Sequence, residues 1–416
     1  MERVNESSLH SDFSMIDSFA KKKMLQLMSK LKGGTLTIID SQGVEKMGVA
    51  GDSDSSLNAS IDVQSPHFYR DLLLGGSLGV AEAYMDGYWT SPDLVTLFRL
   101  MVKNLPLLLQ LETSWTTLKR YLSKAYHYLR RNSRQGSRQN IADHYDLGND
   151  FYELMLDKTM AYSSGVFTEA DENLGNASLR KFDKLCQLLQ LKPQDRLIEI
   201  GTGWGGFAIH AAKNYGCQVT TTTISKEQYA YAKKRIEEEG LSGKITLLDS
   251  DYRDLKGKYD KLVSIEMIEA VGHEYFDTYF QKCSELLKED GLAALQMITI
   301  PDQHYDRHIQ TVDFIKRYIF PGSTIPSISA VMDSVKRVTD FRLAGFADIT
   351  PHYATTLRLW RENFFENIES VRQMGFSERF IRMWEYYLCY CEASFSEHYN
   401  GDVHMLFAKP VAKHPV

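Results

Sequence analysis

The sequence predicts an α/β protein in which a parallel sheet, covered by helices on both faces, is joined to a smaller N-terminal α/β domain. Three observations carry this. Apolar strands and amphipathic helices alternate from Leu185 onward, a spacing that calls for parallel pairing through crossover helices. The stretch Arg196 to Phe207, R-L-I-E-I-G-T-G-W-G-G-F, reads as a buried strand, a glycine turn and a helix start. At 416 residues, with 43% apolar and 12% aromatic content, the chain can fill a large core and form two domains.

Taken in order, the first ~60 residues are weakly patterned, with a short strand at 35–40 (T-L-T-I-I-D) and polar clusters such as Gly51-Asp-Ser-Asp-Ser-Ser-Leu-Asn that suggest loops. Ser65 to Trp89 reads as two amphipathic helical segments broken at Gly75-Gly76, followed by an apolar helix through Leu109. From Lys119 to Arg138 seven basic residues (Lys119, Arg120, Lys124, Arg130, Arg131, Arg134, Arg138) occur with no acid among them, interleaved with Tyr121, Leu122, Tyr126 and Leu129. Such a segment suits either a solvated linker or a membrane surface, where cations meet anionic lipid and aromatics favour the interface. The expected organisation is an N-terminal lipid- or partner-binding domain at 1–118, a basic linker at 119–139 and a catalytic domain at 140–416. Within the last, strands are expected at Leu197–Ile200, Gln218–Thr223, Ile245–Leu248, Lys261–Ile265 and Leu292–Ile298. Helices are expected at Gly205–Asn214, Lys226–Glu239 and Tyr275–Leu287.

The net charge of −6 argues against nucleic acid as a partner. No apolar run approaches the ~20 residues that span a bilayer, and the first residues lack a signal-peptide core, so the expected location is the cytoplasm. Five cysteines at scattered spacing (186, 217, 283, 389, 391) form neither a disulfide framework nor a zinc pattern. No metal is expected.

The glycine turn suits a nucleotide. Gly201, Gly203 and Gly205 let the backbone approach a ligand, and the free N–H groups of the helix that follows point into the turn. A lone glycine pair would mean no more than an ordinary strand-to-helix turn. Glu199 adds to it: a carboxylate closing an apolar strand is costly without donors, which a cationic amino-acid end or a ribose would supply. The pyrophosphate fingerprint G-x-G-x-x-G, with its acid about 20 positions on, is absent. Ligands of parallel sheets bind beyond the carboxyl ends of the strands. There the second strand offers Thr223, Ile224, Ser225 and Gln228, and the third offers Asp251 and Tyr252, which can bracket an adenine by hydrogen bonding and stacking. The fourth leads into Glu266 and Glu269 in an apolar setting. Two glutamates that merely open a helix would favour its dipole instead.

The turn resembles the first motif of the S-adenosylmethionine (SAM)-dependent methyltransferases. Val80-Ala-Glu-Ala-Tyr-Met-Asp-Gly-Tyr-Trp resembles the N-terminal domain of full-length bacterial cyclopropane-fatty-acid synthases. Across essentially the whole chain, and most strongly from Asp143 to Pro410, the sequence is similar to the cyclopropane-fatty-acyl-phospholipid synthase family. The carrying pieces are His144-Tyr-Asp-Leu-Gly-Asn-Asp, Met160-Ala-Tyr-Ser-Ser, Glu199-Ile-Gly-Thr-Gly-Trp-Gly-Gly, Thr223-Ile-Ser-Lys-Glu-Gln, Asp251-Tyr-Arg-Asp-Leu, Met267-Ile-Glu-Ala-Val-Gly, Tyr318-Ile-Phe-Pro-Gly and Tyr353-Ala-Thr-Thr-Leu.

The resemblance implies a Rossmann-like class I methyltransferase domain with a mostly parallel seven-stranded sheet. It implies methyl transfer from SAM to a cis double bond of a phospholipid acyl chain, then proton loss and ring closure. The family's base is a bound bicarbonate; its holders map to Glu269, Gln296, Tyr353 and the backbone of Ser164 and Ile298. Gln296 stands where the family has histidine, and Ser164 where it has cysteine. The wording Glu-Met-Ile-Glu-Ala-Val-Gly-His-Glu resembles the plant-type branch. Cofactor contacts fall on Tyr162, Ser163, Gly201, Gly203, Thr223, Ile224, Gln228, Tyr252 and Ile265, beside Glu199 and Asp251. The expected partners are membrane phospholipids met peripherally at an anionic inner face, and the expected assembly is a homodimer. A methyl-branched or methylene product, or a non-catalytic lipid-binding protein, are the alternatives.

Overall fold

A computed structural model describes residues 13–49, 56–109, 147–169 and 172–413. The basic segment 119–138 and His144-Tyr-Asp lie outside the described residues. The chain divides into two compact units. The first comprises Met1–Tyr126, Thr311–Ile319 and Ile368–Tyr399, the second His127–Gln310, Phe320–Asn367 and Asn400–Val416. The segments 311–319 and 368–399, which sequence alone placed in the catalytic domain, thus group with the N-terminal region.

The first unit holds a four-stranded sheet of β1 (Gly34–Asp40), β2 (Gly43–Val49), β3 (Leu57–Val63) and β4 (Trp89–Thr90) in the order β2-β1-β3-β4. The helical break falls where the glycine pair put it: His67–Met85 is interrupted at Gly76, whose φ of 59° an L-residue rarely adopts. Helix Glu378–Ser396 supplies Tyr386, whose ring lies 4.8 Å from Phe98 and 4.7 Å from Phe314. Tyr84 bridges Tyr386 and Trp89 at 5.7 and 4.9 Å. This aromatic packing explains why the helix belongs with the N-terminal unit: it buries large rings there.

The second unit is the seven-stranded sheet. Its strands are β5 (Arg196–Ile200), β6 (Gln218–Thr223), β7 (Ile245–Asp249), β8 (Tyr259–Ile265), β9 (Leu287–Thr299), β10 (Arg342–Asp348) and β11 (Gly401–Ala408), in the order β10-β11-β9-β8-β5-β6-β7. From β7 to β9 all pairing is parallel, whereas β11 runs antiparallel between β9 and β10. Successive residues of β5 face opposite layers. Leu197 packs with Phe207, Ala208 and Leu185 on one side, and Ile198 and Ile200 with Phe276, Phe280 and Leu286 on the other. Both faces are therefore covered, as a parallel sheet requires.

The predicted elements from β5 to β9 are present, with ends shifted by at most five residues. Glu266 and Glu269 do not open a helix. β8 stops at Ile265, Glu266 takes a φ of +45°, Ile268–Ala270 form a single 3₁₀ turn, and the helix begins only at Phe276.

Candidate active site

The glycine turn sits at the carboxyl end of β5, with φ of +101°, +52° and +88° at Gly201, Gly203 and Gly205. All three lie in the region that glycine alone enters freely. The N–H groups of Gly201 and Thr202 donate to the carbonyl of Thr222 on β6, fixing the turn to the neighbouring strand. Among the described residues no heavy atom lies within 4 Å of a Cβ built on Gly203, so open space adjoins the backbone there. Glu199 is buried beneath, and Oγ1 of Thr221 donates to its Oε2 at 2.5 Å. Burial pushes its carboxyl up to about 8, against the opposing pull of that hydrogen bond.

At the end of β6, Oγ1 of Thr223 donates to Oε1 of Gln228 at 3.0 Å, and Ser225 caps the following helix. Ile224 beside them keeps some accessible surface. Asp251 is bound into an ion pair with Arg253 at 2.6 Å, so its side chain is largely committed within its own loop. Tyr252 presents a buried hydroxyl with no partner among the described residues. Tyr162 stands among Trp360 (5.1 Å), Tyr152 (5.3 Å) and Phe320 (6.2 Å). Ser163 accepts a hydrogen bond from the buried Nζ of Lys181 at 2.5 Å. A SAM-like ligand fits these features: a backbone cradle with open space, a buried carboxylate for a cation, neutral hydroxyl and amide groups for a ribose, and an orphan tyrosine hydroxyl.

Beyond β8 lies a cluster of acids, with Glu269 and Asp402 buried and Glu266 half-buried. Oε1 of Glu266 accepts from the Ser164 N–H at 2.9 Å and from Nε2 of Gln296 at 2.8 Å, and its Oε2 accepts from the Tyr353 hydroxyl at 2.6 Å. The Glu266 N–H donates back to the Gln296 carbonyl, because Ile265 and Gln296 stand in register on β8 and β9. Gln296 also donates to Oδ2 of Asp402 at 3.0 Å, and its Oε1 faces Nε2 of His404 at 3.2 Å. Oε1 of Glu269 accepts from the Ile298 N–H at 2.5 Å, while Oε2 is buried without a partner among the described residues.

Burial raises all three carboxyls. For Glu266 the Lys181 charge and the donors from Tyr353, Ser164 and Gln296 oppose it. Glu269 is pushed up to about 8 by burial and then by Glu266. Asp402 is held far above the carboxylate range by burial, Glu266 and Glu269. Lys181, which burial lowers to about 8, carries the charge that opposes the rise at Glu266 and Asp402. Burial brings His404 down to about 3, so it is neutral and its Nε2–H donates to Gln296.

These contacts decide the fit of bicarbonate. Of the groups that the resemblance assigns to holding it, Ser164 N–H, Gln296 and Tyr353 converge on the Glu266 carboxylate, and the Ile298 N–H is taken by Glu269. A protein carboxylate stands where the anion's donors point, and bicarbonate does not fit.

A family profile described as mycolic acid cyclopropane synthetase matches residues 132–405. The chain belongs to that family. Its curated relatives in the family include the tuberculostearic acid methyltransferase UfaA1 of Mycobacterium tuberculosis, 36% identical over 83% of this chain and 84% of the relative. The cyclopropane-fatty-acyl-phospholipid synthase of Escherichia coli is likewise 36% identical, over 86% and 89%. Among solved structures, the mycolic acid cyclopropane synthase CmaA1 complexed with SAH and CTAB superposes with a TM-score of 0.61 at 29% identity, covering 65% of this chain and 98% of that one. The chain is thus a SAM-dependent methyltransferase of the cyclopropane synthetase family.

Three members of this site carry no assignment from sequence. Lys181 occupies the buried stripe 178-181-182-185 of helix Leu174–Leu188, where a lysine among apolar neighbours is itself a signal. Asp402 and His404 are two apart on β11 and share a face, but no strand was drawn there.

Proposed function

We propose that this enzyme methylates the cis double bond of an unsaturated phospholipid acyl chain and closes the product to a cyclopropane. The observation that carries the reading is a carboxyl group held by three donors beside the cofactor turn, next to an aromatic wall. An alkene is a weak nucleophile, and its methylation leaves a carbocation that water would trap. SAM, when bound, supplies the methyl group as an electrophile. Glu199 and the Gly201–Gly205 turn would hold it, with Thr223, Gln228 and Tyr252 at its nucleoside. Tyr162, Trp360, Phe320 and Tyr353 exclude water, and their ring faces favour a nearby cation. A carboxylate in reach of the new methyl carbon then has a proton to take.

A second reading, a methyl-branched or methylene acyl chain, is supported by the kinship with a protein named as a methyltransferase rather than a cyclopropane synthase. Incubation with SAM and unsaturated phospholipid, followed by mass spectrometry, should show a gain of one CH2 per modified chain, with NMR separating ring from branch. No gain on any unsaturated phospholipid would remove both readings.

Among the described residues no helix is long and apolar enough to cross a membrane, yet the double bond lies deep in a bilayer. Peripheral docking through the basic segment 119–138 is therefore part of the proposal. Binding to anionic vesicles should weaken steeply with salt, because such attraction is screened over about 8 Å at physiological ionic strength. Replacing Arg130 and Arg131 by Gln should weaken it about thirtyfold, at ~1 kcal/mol per charge. Unchanged vesicle binding at low salt would assign docking elsewhere.

A further inference from the structure

We propose that Glu266 is the resident base of this enzyme: its carboxylate, held by Ser164, Gln296 and Tyr353 beside the cofactor turn, takes the proton from the newly added carbon, so that turnover requires no bicarbonate. The inference rests on the lipid-methylation reading above and deepens it.

Four observations converge. The first is the backbone. Glu266 has a φ of +45°, a region that costs a non-glycine residue of order 1 kcal/mol, and such strain persists where the surroundings enforce it. Glycine would sit there freely, so the side chain is kept against a local cost. The second is the hold on the carboxylate. A backbone N–H, a side-chain amide and a phenol, drawn from segments 102, 30 and 87 residues away, fix both oxygens. Among the described residues Oε2 accepts from Tyr353 alone, which leaves it a lone pair for a substrate proton.

The third is place. The adjoining Met267 side chain comes within 3.1 Å of where a Cβ on Gly201 would sit, so Glu266 is next in sequence to a residue packed on the turn that cradles the cofactor. Ile265, Glu266 and Met267 all keep accessible surface, whereas Glu269 and Gln296 behind them are buried. Glu266 thus borders open space. The fourth is charge. Lys181 pulls Glu266 toward its ionised form, while Glu269 and Asp402 are held neutral by burial and by Glu266 itself.

The step balances. The π pair of the alkene forms the bond to the methyl carbon as the carbon–sulfur bond breaks and its pair stays on sulfur, leaving a cation on the neighbouring carbon. Glu266 takes one proton from the new methyl group. The freed C–H pair closes the three-membered ring, and the carboxylic acid then loses its proton to solvent.

The test uses purified full-length protein, SAM and unsaturated phospholipid vesicles in buffer freed of carbon dioxide, with and without added bicarbonate. The wild type should turn over within about twofold of the same rate in both. Glu266→Gly, which relaxes the backbone and opens the cradle, should lose about 100-fold or more in depleted buffer, a loss usual for a positioned base, and regain at least tenfold with saturating bicarbonate or formate. Titration with ¹³C-bicarbonate by NMR should show binding to Glu266→Gly and none to the wild type. Glu266→Gln should be inactive without rescue, with SAM affinity within about threefold of wild type. A tenfold fall of the wild type on bicarbonate removal, or a fully active Glu266→Gly in depleted buffer, overturns the assignment while leaving lipid methylation intact. A wild type that modifies no unsaturated phospholipid under any condition removes the function and this assignment with it.

Discussion

Lys181→Met is expected to lower turnover about a thousandfold at neutral pH, and part of the loss should return as pH rises. Lys181 is fully buried, and its charge opposes the desolvation that raises Glu266 and Asp402. Without it, Glu266 is a carboxylate with hydrogen-bond donors but no buried counter-charge, and it takes up a proton. Loss of a positioned base costs about 10²–10⁴ in rate. The sign for pH follows: Glu266 must be ionised to act, so raising its proton affinity moves the acid limb of the rate profile upward, by at least about one unit. Stability should change less than activity, because an apolar side chain replaces a buried cation that donates its hydrogen bond to Ser163. The readout that separates the two roles is the profile itself. If Lys181→Met runs parallel to the wild type at every pH, the lysine only supports the fold.

Binding of SAM should tighten as pH rises from about 5.5 to 7.5, by up to tenfold per unit, with release of close to one proton per ligand bound. Glu199 is protonated at these pH values in the free enzyme because burial holds it up near 8, and a cationic ligand end beside it requires the ionised form. Glu199→Gln should abolish both effects and weaken affinity about 30- to 100-fold, the scale of a lost charge-assisted hydrogen bond in a buried site. Calorimetry in buffers of different ionisation enthalpy measures the proton directly. A proton count of zero in the wild type would place the cation elsewhere. The same raised carboxyl also makes the ligand-free protein less stable as pH climbs from the ordinary carboxylate range toward 8. The folded state keeps a proton that the unfolded chain has released, so its stabilisation is complete below the unfolded value and is lost through the folded one.

The parts of this molecule that could be read from sequence are those whose signal is local. Alternating strands and helices from β5 to β9 declare themselves because each residue's periodicity reports the face it buries, and the glycines at 201, 203 and 205 because only they tolerate those dihedrals. β10 was illegible: it is an edge strand with Arg342, Leu343, Phe346, Ala347 and Asp348 exposed, and so carries no alternation. The grouping of Glu378–Ser396 with the N-terminal unit depends on rings that meet across hundreds of residues. Gln296 and Ser164 read as departures from a bicarbonate site. Their meaning needed the dihedral at Glu266, because only a left-handed turn at the end of β8 swings that carboxylate onto their donors.

The sequence separations within the two halves of the site differ in kind. The cofactor side is closed by near neighbours: Glu199 meets Thr221, 22 residues on, across adjacent parallel strands. The acid cluster is closed by Ser164, Tyr353 and Asp402, which reach Glu266 and Gln296 over 102, 87 and 106 residues. Loop-closure entropy delays such distant pairings until nearer ones have shortened the intervening chain. During folding the nucleotide crevice is then assembled first, while Lys181, Glu266, Glu269 and Asp402 stay hydrated. Their transfer out of water then waits for β11 to pair between β9 and β10, so on refolding, cofactor binding is expected to return before turnover does.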